Sequence, residues 1–218
     1  MMASSLRRFT FTTHITSSVG WLGAVIAFLA LAIVGLTSRD EATVRGAYLV
    51  MAPAAWFVLV PLAHASLLSG IAISLGTPWG LFRHYWVVLK LLLTAFSTVI
   101  LVIYMGTFRQ MAGMAADPVV ELGLVRNPSP VVHAILALIL LVIATVLGVY
   151  KPFGMTAYAR RTQLEPRQAL LPAASRPQSG SIDTTSTSPW VYVAGVVAIA
   201  ALLFFVILHL LGGSVLHH

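Results

Sequence analysis

Apolar runs separated by short polar connections dominate the chain. Five of them approach or exceed the roughly 20 residues that a helix needs to cross about 30 Å of hydrocarbon. They cover residues 15–36, about 47–73, about 82–107, about 131–150 and 190–211. The third carries a nearly continuous polar line at helical spacing, Arg83, Trp86, Lys90, Thr94, Ser97, Leu101 and Tyr104, among Val, Leu and Ile. Polar side chains find no partner in lipid, so this line predicts a central helix that turns Lys90, Thr94, Ser97 and Tyr104 toward its neighbours. Small residues at four-residue spacing predict close helix approach: Thr16, Gly20 and Ala24 in the first run, Ser66, Gly70 and Ser74 in the second. Pro53 and Pro61 predict a disturbed second helix, with His64 one turn beyond, placed to satisfy a freed carbonyl. Residues 108–130 read as a long loop ending in a Pro128-Ser129-Pro130 restart.

The pattern predicts an all-α membrane protein, a bundle of five transmembrane helices. Residues 1–150 form a four-helix transmembrane bundle, and 190–218 hold a fifth transmembrane helix with a short outer tail. Between them, 151–189 are rich in Pro, Ser, Thr and Arg and lack a hydrophobic period, as a disordered cytoplasmic linker does. Composition agrees, with 59% hydrophobic and 9% charged residues and a mean hydropathy of +0.94. The net charge of +7 does not point to nucleic acid, because the basic residues lie between apolar runs, where they set topology. On alternate sides they number eight (Arg7, Arg8, Arg83, Lys151, Arg160, Arg161, Arg167, Arg176) and four (Arg39, Arg45, Arg109, Arg126). That imbalance places the N-terminus in the cytoplasm and the C-terminus outside a plasma membrane crossed several times. The first run is longer than a secretory signal's apolar region of about 7–15 residues and lacks a cleavage pattern, so it reads as an uncleaved span.

Candidate chemistry is sparse. The chain has no Cys, which excludes disulfides, iron–sulfur clusters and thiolate metal sites. Neither a nucleophilic triad nor a phosphate-binding Gly-rich loop is present, and no Asp or Glu falls inside a predicted span. Histidines do. His14, His64 and His84 lie toward the cytoplasmic side of three helices, and a haem b site in a bundle needs two axial nitrogens from opposite faces of the macrocycle. His14 with His64 is the preferred pair, with Arg83 and Lys90 as a cationic rim for the propionates. A redox partner or quinone and a homo-oligomer are the partners this reading implies, besides the lipid bilayer. The second reading is Cu(I), since Met111, Met114 and His133 map to the outer side and thioether with imidazole suits that ion. A third is a non-catalytic membrane scaffold or assembly factor, in which the polar line is helix packing.

The segments HITSSVGWLGAVIAFLALA from His14 and SLGTPWGLFRHYWVVLKLLLT from Ser74 resemble an uncharacterised family of actinobacterial integral membrane proteins. The likeness covers roughly residues 10–150. It implies a plasma-membrane helical bundle and supplies no activity. The spacing of His14 with Gly20, Trp21, Leu22 and Gly23 resembles the first helix of copper-resistance membrane proteins of the CopD type.

Overall fold

The computed structural model describes residues 3–76 and 84–150. Arg83, the predicted linker and the predicted fifth helix lie outside the described residues. Within them the chain is helical, with no strand. The elements are α1 (Ser4–Thr37), α2 (Glu41–Ala54), a π turn (Ala55–Leu59), α3 (Val60–Gly76), α4 (Tyr85–Ala116), the single-turn α5 (Leu122–Val125) and α6 (Ser129–Tyr150). Four helical segments are long and apolar enough to cross a membrane: α1, α2 continued through the π turn into α3, α4, and α5 with α6. Each packs beside those before and after it in sequence, and α6 closes the ring against α1.

The surface is apolar, as a lipid environment requires. Val19, Ile26 and Ile33 project from one side of α1, and Leu92, Val99 and Ile103 from one side of α4. The inward stripe of α1 is Ser17, Trp21, Val25, Phe28, Ala32 and Gly35, stepping by four and three residues. Its centre meets α4 through Phe28 and Phe108, whose ring centroids lie 5.0 Å apart. Gly35 is required here, because a Cβ would stand 3.2 Å from Cε2 of the fully buried Tyr48.

The two prolines of the second span do not end it. Val60 N–H reaches back five residues to Ala55 O, and the wider π turn so formed lies between Pro53 and Pro61. It also keeps the stripe in register. Met51, Ala55, Leu59 and Ala63 are all buried at steps of four, and in a regular α-helix each such step drifts by about 40°.

Three polar clasps close the end opposite the N-terminus. Arg126 donates to Leu36 O at 2.7 Å and Ser38 O at 2.6 Å, capping the bare carbonyls of α1. Arg45 pairs with Glu41 at 2.8 Å and donates to Asp117 O at 2.8 Å and Val120 O at 2.7 Å. The Tyr48 hydroxyl donates to Asn127 O at 3.0 Å and accepts from Asn127 N at 2.8 Å. Nearby, Asp40 caps α2 by accepting from Thr43 N at 2.9 Å. The Thr43 hydroxyl and amide hold its carboxyl below the usual range. The cap's contribution is therefore present at neutral pH and fades as pH falls through that lowered value.

Two boundaries differ from the sequence expectation. The mixed-charge stretch after residue 37 is helical from Glu41, because Asp40 supplies the cap. The predicted loop from residue 108 is helical to Ala116, because Phe108, Met111 and Ala115 continue the buried stripe while Arg109 and Gln110 face outward.

Tyr48→Phe removes the hydroxyl but leaves both Asn127 backbone groups behind. Its expected cost is about 1–3 kcal/mol in SDS-titrated unfolding of the detergent-solubilised protein. An unchanged midpoint would show that water replaces the hydroxyl at no cost.

Candidate functional site

All four spanning segments contribute to a polar cluster at the end that carries the N-terminus. On α1, Arg7, Phe11 and His14 extend the inward stripe backwards at the same four-and-three spacing, so the imidazole enters the bundle one turn above Ser17. It meets α3, where His14 Nδ1 lies 3.0 Å from Ser66 O and 3.2 Å from Ser69 Oγ. A carbonyl only accepts, so Nδ1 carries the proton and, in the neutral ring, Nε2 keeps its lone pair. Ser69 directs its own hydroxyl proton to Ala65 O, which leaves its oxygen to accept from the imidazole. The serine seam continues with Ser18 Oγ and Ser66 Oγ at 2.8 Å.

Across the cluster Lys90 extends from α4 and places Nζ 3.4 Å from His14 Nε2. Two glycines make room for the pair. A Cβ on Gly70 would lie 3.1 Å from His14 Cε1, and one on Gly148 of α6 would lie 3.0 Å from Lys90 Nζ. The imidazole and the amine border a cavity of about 500 Å³, whose walls include Arg7, Arg8, Phe11, Trp86 and Thr94. That volume lies in the range of small-molecule sites, about 300–1,000 Å³. No Asp or Glu among the described residues lines the cavity. Asp40, Glu41, Asp117 and Glu121 lie at the opposite end of the bundle. The described lining therefore carries three basic side chains, Arg7, Arg8 and Lys90, and no carboxylate.

The structure separates the other residues nominated from sequence. His64 is exposed on the outer side of α3, and its Nδ1 bonds Val60 O at 2.8 Å, on its own helix. Pro61 frees the Phe57 carbonyl, four residues before it, so His64 does not satisfy that group. Ser66, Ser69 and Gly70 face His14, and His64 is set well over 100° around the helix from them. His14 and His64 are thus not brought together. His84 precedes α4 with its ring 6.5 Å from that of Trp86. At the far end Met111 is buried in the core and Met114 packs at its edge. His133 stacks on Tyr104 with ring centroids 4.0 Å apart and Nδ1 2.8 Å from Ser129 O.

The polar line of α4 does face inward. Thr94, Ser97, Thr98 and Tyr104 are buried and Lys90 is half-buried. Sequence reasoning took Arg7 and Arg8 only as topology determinants. Their place at the cavity was readable from the spacing of Arg7, Phe11 and His14.

Gly70 and Gly148 separate a fixed neighbour from a flexible one. Gly70→Ala pushes against an imidazole pinned by two hydrogen bonds, and overpacking costs about 1–3 kcal/mol. Gly148→Ala meets only the tip of a lysine, which swings aside, leaving the helix-propensity gain of up to about 1 kcal/mol. Thermal unfolding in detergent should show the first variant destabilised and the second equal to or above the parent. The reverse order would place the rigid group on Lys90.

No family model, curated protein or solved structure matches this chain, so the site rests on its own geometry.

Proposed function

We propose that this is a haem b-binding redox or electron-transfer protein of the plasma membrane, and that the cavity beside His14 holds the haem. The observation that carries this reading is the state of the His14 ring. Its Nδ1 is bound to the Ser66 carbonyl, and its Nε2, within 3.4 Å of Lys90 Nζ, belongs to a ring that borders the cavity. Metal-ligating histidines are oriented by such a bond, which fixes the tautomer and raises the basicity of the coordinating nitrogen. Lys90, with Nζ 3.4 Å from that nitrogen, would add positive charge beside the haem, the role the sequence reading gave it. Arg7 and Arg8 at the wall supply the charge for two propionates, while Phe11, Leu67 and Leu91 supply apolar contact. Bound haem would provide one-electron chemistry between a redox partner or quinone and the protein. The chain itself binds and orients it, and withholds competing carboxylates.

The Lys and Arg imbalance supports the reading that this end of the bundle faces the cytoplasm, with the N-terminus inside and the C-terminus outside. One observation supports a second reading. The same cations, with no acidic side chain in reach among the described residues, would take the headgroup of an anionic lipid.

An absorption spectrum of the full chain, purified in detergent after expression with ample haem, separates the two. The haem reading expects a Soret band that His14→Ala abolishes and His64→Ala leaves in place. A protein without a Soret band but with co-purifying anionic lipid by mass spectrometry would establish the second reading. A band that survives His14→Ala would overturn the assignment of the site.

A further inference from the structure

A second, smaller cavity of about 70 Å³ lies deeper in the bundle, bordered by Trp21, Phe28, Phe96, Ser97, Tyr104 and His133. Its walls are mostly aromatic, and its size decides what enters. A cavity that takes benzene measures about 150 Å³, whereas one water needs about 10–15 Å³ by the same measure. A short water chain fits that volume.

The walls supply the polar anchor that a purely apolar void lacks. Along α4 the hydroxyls of Thr94 and Thr98 donate at 2.8 Å to Lys90 O and Thr94 O, so both are satisfied within their own helix. Ser97 does not follow them. It is 8% exposed, its Oγ meets no protein partner, and it borders the cavity. Leaving a buried hydroxyl unbonded costs free energy comparable to a lost hydrogen bond, and more so in a bundle surrounded by hydrocarbon. At the far wall the Tyr104 hydroxyl lies 2.6 Å from Ser129 Oγ, which lies 3.3 Å from His133 Nδ1.

We propose that this cavity is an internal water-binding site anchored on the Ser97 hydroxyl. Its water joins the polar edge at Lys90 and Thr94 to the cluster of Tyr104, about two turns further along α4, with Ser129 and His133 of the adjacent α6. Thr94 borders the larger cavity and Ser97 the smaller, one helical turn apart on α4. The water site thus extends the polar interior beyond the proposed ligand cavity, and it does not depend on what that cavity binds.

Trp21 reports on the site directly, being 2% exposed and part of the cavity wall. The probe is the full chain with Trp56, Trp79, Trp86 and Trp190 changed to Phe, reconstituted in phosphatidylcholine vesicles. Its emission is compared in H2O and D2O, with folding checked by circular dichroism. The proposal expects a D2O enhancement of Trp21 emission that Ser97→Val removes, together with a blue shift. Ser97→Thr keeps the hydroxyl and should retain both features. Equal D2O ratios in the Ser97 parent and in S97V would overturn the proposal, as would a ratio in S97T matching S97V.

Discussion

A lysine amine and an imidazole meet 3.4 Å apart at one end of this bundle, and no carboxylate among the described residues lines the cavity they share. Much of the molecule's polar architecture follows from accommodating that pair in an apolar surrounding. The imidazole is bound to Ser66 O, the amine lies against Gly148, and the guanidinium groups of Arg7 and Arg8 stand at the wall. A bilayer-spanning protein does not hold unbalanced cations beside a cavity without a compensating anion, and haem is a dianion with an iron that accepts nitrogen. On the haem proposal, the basic side chains would meet the propionates and His14 would supply the donor nitrogen.

The two ends of the bundle contrast in chemistry. Opposite the N-terminus, Arg45, Tyr48 and Arg126 are bonded to backbone groups of the connecting segments. Their charges and hydroxyls close loops and cap helices. At the end that carries the N-terminus, the serines of α3 orient a ring whose second nitrogen meets Lys90. Between them Phe28, Tyr104 and Phe108 form an aromatic layer.

Much of this was legible in the sequence, and the reasons are specific. The inward edge of α4 could be read from Lys90, Thr94, Ser97 and Tyr104, because lipid admits no other solution for such a line. Gly70 was visible as a small residue on a packed face, although the imidazole it admits was not. The choice of His64 failed because depth in the membrane was weighed without azimuth. His64 and His14 lie toward the same end of the bundle, yet His64 projects from the side of α3 opposite Ser66 and Ser69. The helical extension to Ala116 was obscured by Arg109 and Gln110, whose polarity suggested a loop. The burial of Phe108, Met111 and Ala115 on the other side of those turns carries the helix on.

The central claim is that His14 Nε2 is a donor to a bound haem, and chemical rescue tests it most directly. His14→Gly opens a space the size of the lost ring. The account predicts that this variant purifies without a Soret band and gains one when imidazole and haem are supplied together. A His14→Gly protein that retains haem without imidazole would contradict the claim, and so would a parent protein that binds none.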